Sequence, residues 1–162
     1  MKKIFLLLFI FISSVYSNSL RLSEKDILIL KEIKSLSNEK MIQYSLMAIA
    51  IKESSLGKNL VNDKSKDYGL FQANIKTVLS REDVDDTKEN REYFSNKLVT
   101  DIRYAVNNAL LEIQYWQGVH DESWAKTWAS YNTGWKYESK TGLLYATSIY
   151  KIIKTLKLEY KL

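Results

Sequence analysis

Six consecutive apolar residues, Leu46-Met47-Ala48-Ile49-Ala50-Ile51, constrain this chain more than any other feature. They follow helix-compatible residues, and no Pro occurs anywhere in the sequence, so the run reads as a helix that is apolar on every face. Such a helix belongs at the centre of a domain. Lys52-Glu53 then ends the run abruptly. A carboxyl group at that edge is partly desolvated, which disfavours its charged form and suits it to donate a proton. For Glu53 to stay protonated near neutral pH, its pKa must rise from about 4.3 towards 6, an environmental effect of roughly 2 to 3 kcal/mol.

The remaining periodicity predicts more helices. Ser23-Glu24-Lys25-Asp26 has the form of a capping start, and Ile27, Leu30 and Ile33 continue it to about residue 37. The central helix spans about 39 to 54, with Gly57 as its stop. Residues 58 to 68 read as a polar loop, and 69 to 79 as a segment that begins extended and becomes helical. Residues 80 to 96 have no clean period and read as a loop with at most one short helix. Thr100-Asp101 opens a strong helix to about Gln117, with Ala105, Val106, Ala109 and Ile113 facing inward. A shorter helix covers 123 to 131, and a last one starts at Thr141. The expected fold class is therefore all-α, a single domain with room for a small β-hairpin around Asp67.

The amino terminus carries a different signal. Met1-Lys2-Lys3, an apolar run from Ile4 to Ile12 and then Ser13-Ser14-Val15-Tyr16-Ser17 form the pattern of a secretory signal peptide over 1–17. The apolar run is far shorter than the roughly 20 residues that span a bilayer, so no stable membrane insertion is expected. Removing 1–17 leaves 18–162 as the mature domain, of a size that fits one core. It also removes Lys2 and Lys3, which takes two from a formal charge of +5 and leaves +3. That mild basicity suits an anionic cell wall and excludes a dedicated nucleic-acid binder. With no Cys, the chain has neither a disulfide framework nor a lipidation site of the lipoprotein kind.

Three separated blocks carry a resemblance. Glu53-Ser54, Gly69-Leu70-Phe71-Gln72 and Tyr131-Asn132-Thr133-Gly134 occur in the order and spacing of the soluble lytic transglycosylases. Those enzymes have a goose-type lysozyme-like fold and cleave the glycan strands of bacterial peptidoglycan. In the family the second block usually reads Gly-Leu-Met-Gln and the third Ala-Tyr-Asn-Ala-Gly, so Phe71 stands in for Met. The resemblance implies that Glu53 is the general acid and that Tyr131 holds it by a hydrogen bond. It also implies that Asn132 lines the cleft; a helix C-terminal cap is the structural alternative for that residue. Gln72 has the donor and acceptor groups to meet an N-acetylated sugar, and Ser54 has a hydroxyl in reach of the Glu53 carboxyl. Turn chemistry is the alternative for Gln72, and a bond back to its own helix for Ser54.

Asp67 keeps a second outcome open. Asp67-Tyr68-Gly69-Leu70-Phe71-Gln72-Ala73-Asn74 is also similar to the block of animal-type lysozymes in which that Asp is the second catalytic carboxylate. A transglycosylase needs only one carboxylate because the substrate's C6 hydroxyl attacks, whereas a hydrolase commonly uses two. The resemblance thus implies a peptidoglycan lytic transglycosylase, periplasmic or secreted, that cuts between N-acetylmuramic acid and N-acetylglucosamine. It works without cofactor or metal and in some members serves a cell-envelope secretion machine. A muramidase using Glu53 and Asp67, and a non-catalytic wall-binding accessory protein, are the alternatives. His120-Asp121-Glu122 lacks metal-ligand spacing and reads as a solvated turn, and the acids from Glu82 to Asp86 read as surface charge. The eleven Tyr and four Trp divide between core and sugar-stacking platforms.

Overall fold

The computed structural model describes residues 20–162; the signal-peptide reading of 1–17 lies outside the described residues. Among the described residues, seven α-helices and one small sheet make up an α-dominant, lysozyme-like domain. The helices are α1 (Glu24–Ser35), α2 (Lys40–Ser54), α3 (Ile75–Arg81), α4 (Lys88–Thr100), α5 (Ile102–Val119), α6 (Trp124–Thr133) and α7 (Lys140–Leu158). A 3-10 turn, Gly134–Lys136, joins α6 to the loop before α7. No helix among the described residues is long and apolar enough to cross a membrane.

The central helix is α2. Every residue from Tyr44 to Ala50 is buried, because α1, α5 and α7 pack around it. Leu46, Met47 and Ile49 have no exposed surface, and each fully buried side chain of that size stabilises the fold by roughly 1.5 to 3 kcal/mol. Ile49→Ala would open a cavity against this packing at about 2 to 5 kcal/mol. The Trp128 indole nitrogen donates to the Ser45 hydroxyl at 2.9 Å, which satisfies the polar groups where α6 crosses α2. On α1 the capping box forms as expected, with Ser23 and Asp26 exchanging hydrogen bonds.

The end of α2 differs from the sequence expectation. Its cap is Ser55 rather than Gly57, and Ser55, Leu56 and Gly57 all have positive φ. Two non-glycine residues in the left-handed region carry strain of order 1 kcal/mol each, and buried Leu56 compensates by docking into the core. The chain is thereby turned sharply just beyond Glu53.

Residues 61 to 74 hold a three-stranded antiparallel sheet: β1 (Val61–Asn62), β2 (Asp67–Tyr68) and β3 (Ala73–Asn74). Asp67 pairs with Asn62 on one side and Asn74 on the other. The hairpin around Asp67 is thus one strand larger than the sequence suggested. Gly69 follows β2 at φ +81, and a Cβ there would lie 2.4 Å from the Leu98 carbonyl oxygen. Only glycine lets this block run against α4.

The loop expected over 80 to 96 is a correction: its second half belongs to the thirteen-residue α4. That helix buries only Phe94 and Leu98, one turn apart, so its apolar stripe is too thin to give a period. Thr87 marks its start, accepting from the Asn90 backbone N–H at 3.2 Å. Phe94 and Leu98 join Ile75, Val78 and Leu79 in a second, smaller core beneath the sheet.

Candidate active site

Glu53 projects from the last turn of α2 into a cleft of about 350 Å³. Asp67, Gln72, Tyr131 and Asn132 line the same cleft, so residues from all three sequence blocks meet there. A second depression, about 330 Å³, opens on the other side of Glu53 and Asn132 between α2 and α7. The carboxyl group therefore sits at the junction of the two hollows, both of which Glu53 and Asn132 line.

The hydrogen-bond partner of Glu53 is Tyr145 of α7, whose hydroxyl donates to Glu53 Oε1. Tyr145 is buried, and that burial, with the nearby charge of Glu53, pushes its phenol well above the ordinary value of 10.0. It stays protonated and so remains a donor. The Glu53 carboxyl is itself raised above its ordinary 4.5, with burial as the main cause. The Tyr145 bond and Lys52 pull it down, and the charge of Asp67 pushes it up. Burial wins, giving a carboxyl that exchanges a proton closer to neutral pH.

Tyr131 has another partner. Its half-buried hydroxyl donates to the Phe71 carbonyl oxygen at 3.1 Å, which ties α6 to the Gly-Leu-Phe-Gln block. The hydrogen bond to Glu53 that the resemblance implied for Tyr131 is made by Tyr145. The Tyr131 phenol is nevertheless raised by burial and by Glu53, so the two groups feel each other across the cleft. Phe71 itself is buried in the main core and reaches the site only through its backbone.

Ser54 also differs from expectation. Its buried hydroxyl lies 2.8 Å from the Leu70 carbonyl and 3.2 Å from the Ala50 carbonyl, and it accepts from the Gly57 N–H at 3.1 Å. It faces away from the Glu53 carboxyl because successive helical residues point in directions about 100° apart. What it does is pin the end of α2 to the second block.

Gln72 adopts a positive φ, and its side-chain nitrogen donates to the carbonyls of Asn59 and Gly69 at 3.2 and 3.0 Å. The amide donors thus close the turn, leaving the side-chain oxygen for a ligand. Asp67 accepts from the Asn74 side-chain amide at 2.8 Å, across the β2–β3 pair. Asn132 is exposed in the last turn of α6, and Gly134 rather than Asn132 caps that helix, at φ 56 and ψ −132. An L side chain is strained there, so the glycine of the third block is required by the turn.

The far end of the cleft is built by residues the sequence reading did not single out. Arg81 of α3 forms an ion pair with Glu112 of α5 and donates to the Asn108 carbonyl at 3.3 Å. Glu112 also accepts from the Trp116 indole nitrogen at 2.6 Å. His120 is a further correction: it is buried rather than solvated, with Nε2 2.8 Å from the Ser130 hydroxyl and its ring stacked on Trp116. Ser130 in turn lines the cleft.

Comparison with known proteins adds one finding. The family model described as the transglycosylase SLT domain matches residues 32–148, which include all three blocks and Tyr145. No curated protein and no solved structure matches.

Proposed function

The chain belongs to the transglycosylase SLT family, and from that premise we propose that it is a peptidoglycan lytic transglycosylase. It cleaves the β-1,4 bond between N-acetylmuramic acid and N-acetylglucosamine. The observation that carries this reading is the setting of Glu53: a carboxyl raised by burial, held by a neutral phenol, at the junction of two hollows.

Glu53 enters the reaction protonated and gives its proton to the bridging oxygen as the glycosidic bond breaks. The carboxylate left behind stabilises the cationic sugar and then takes the proton of that sugar's C6 hydroxyl. The C6 oxygen bonds to the anomeric carbon, giving a 1,6-anhydro-muramic end with no water consumed. Tyr145 keeps the carboxyl oriented through both steps.

Asp67 favours a second reading, a muramidase in which water attacks, because it lines the same cleft and its charge acts on Glu53. Its bond to Asn74 supports the first, since that oxygen is already used to join two strands. Mass analysis of digested glycan separates them. The transglycosylase reading expects anhydro ends and substantial activity in Asp67→Asn; reducing ends with an inactive Asp67→Asn would make the protein a hydrolase. Loss of all turnover from the purified, folded protein would favour a wall-binding accessory role instead.

The substrate implies a site of action outside the cytoplasm. Export with removal of residues 1–17 fits the sequence, and the mature chain would start at Asn18. Amino-terminal sequencing of the periplasmic or secreted protein tests this. Service to a cell-envelope secretion machine is compatible with the reading, and co-purification with such a machine would support it.

A further inference from the structure

Charge is divided unevenly along the chain. Residues 123–162 hold seven Lys against two Glu, a formal +5, while residues 18–122 carry −2. Every ion pair among the described residues lies before residue 113, so none of those seven lysines is neutralised by an acid. An unpaired basic end attracts anionic partners. The same end exposes apolar groups: Leu143, Leu144, Tyr150 and Leu158 of α7 are each more than half exposed.

Helix geometry brings the two features together. At about 100° per residue, Leu143, Tyr150, Lys154 and Leu158 fall within an arc of roughly 80°, with Lys151 at its edge, and their stripe is about 22 Å long. The buried Tyr145, Ile149, Ile153 and Leu156 point the other way, so the stripe is the outer face of α7. Beside it, Leu143 and Tyr150 edge an apolar hollow of about 460 Å³ between α6 and α7, which buried Trp128, Ala129 and Ala146 also line and to which Lys126 adds a charge. This hollow shares no residue with either hollow beside Glu53.

Lysines set among exposed apolar side chains suit few partners. Protein interfaces are depleted in Lys at their centres, and a wall glycan makes no use of three apolar groups in line. An anionic lipid surface uses both: headgroup phosphates meet the ammonium groups, the leucines enter the acyl boundary and Tyr150 stays at headgroup level. We propose that the outer face of α7 is a peripheral binding surface for anionic lipid, which holds the protein at a membrane and leaves the Glu53 cleft open. The contact is a reversible one at the interface, with no helix crossing the bilayer. Lipid binding of this kind is independent of the reaction at Glu53.

The test sediments the exported protein with vesicles of phosphatidylcholine mixed with phosphatidylglycerol, and with vesicles of phosphatidylcholine alone. The protein should bind the mixture, less so as salt is raised, and should bind phosphatidylcholine weakly. Lys151→Glu combined with Lys154→Glu should weaken binding by at least about tenfold, and Leu143→Ser combined with Leu158→Ser by about fivefold. Thermal melts and turnover of glycan oligomers should be unchanged in both, because these side chains are exposed and lie outside the cleft. Binding to neither vesicle, equal binding to both, or binding that neither pair weakens would overturn the lipid surface and leave the assigned reaction standing. A loss confined to the lysine pair, matched by an equal loss of sedimentation with purified peptidoglycan, would overturn it in favour of a contact with the wall polymer.

Discussion

Glu53 and Glu112 reach the same cleft from different helices, and their neighbours differ in kind. Glu112 meets a guanidinium and an indole N–H, so it is held as one end of an ion pair that joins α5 to α3. Glu53 meets a neutral phenol in a largely buried setting, and its proton is held more tightly than in water. A cationic partner fixes charge, whereas a neutral donor orients a carboxyl and leaves it able to give and take a proton. One cleft thus holds two carboxyls in different settings, and sequence neighbours alone do not separate them: Lys52 precedes Glu53, while Leu111 and Ile113 flank Glu112.

The contrast breaks most sharply at Glu53. Glu53→Gln keeps the size of the side chain and removes the proton, so turnover of labelled peptidoglycan should fall by at least about 10² to 10⁴ fold. Glu112→Gln should do the reverse. Arg81 loses its anionic partner, and denaturant melts should show a loss of about 1 to 3 kcal/mol, with turnover reduced by less than about tenfold. A Glu112→Gln variant that is stable but inactive would mean that the two acids have been assigned the wrong way round.

Tyr145→Phe should have a smaller effect. The Tyr145 hydroxyl favours the charged form of Glu53, so removing it should raise the carboxyl further. A general acid with a higher pKa remains protonated to higher pH, and the alkaline limb of kcat/KM should move upward while the maximum rate drops less than about tenfold. A rate profile that does not move would leave Tyr145 as packing only.

The smallest expected effect is on folding. Because Glu53 is raised above 4.5, the folded state holds a proton that the unfolded chain has lost between 4.5 and the folded value. Stability contributed by this group is therefore full below 4.5 and declines as pH rises through the folded value. Glu53→Gln should melt at a higher temperature than wild type at neutral pH, and the gain should disappear below 4.5. A constant difference across that range would show that the gain has nothing to do with ionisation.

The legible part of this molecule lies where one element carries its own signal. The apolar run from Leu46 to Ile51 announces a central helix whatever surrounds it, and Asp101 and Ser23 mark helix starts from within a few residues. Elements that depend on a partner are harder. In α4 two buried residues lie among eleven others with no apolar period, and its packing is set by α3 and the sheet. Tyr145 recurs with Ile149, Ile153 and Leu156 on the buried stripe of α7, so it reads as core, and its contact with Glu53 closes 92 residues of chain. Ser54 was read by its adjacency to Glu53, while helix geometry turns it towards Leu70. Trp116 stands one turn before His120, but the Tyr137 ring that also packs on it comes from beyond α6 and leaves no local sign.

The difference between the two carboxyls can be observed without substrate. In protein labelled with ¹³C at glutamate side-chain carboxyls, the resonance missing from Glu53→Gln identifies Glu53, and its shift can be followed against pH. The Glu53 resonance should have its midpoint above 4.5, and the midpoint should rise further in Tyr145→Phe. A Glu53 resonance that titrates at or below 4.5, unchanged in Tyr145→Phe, would contradict it.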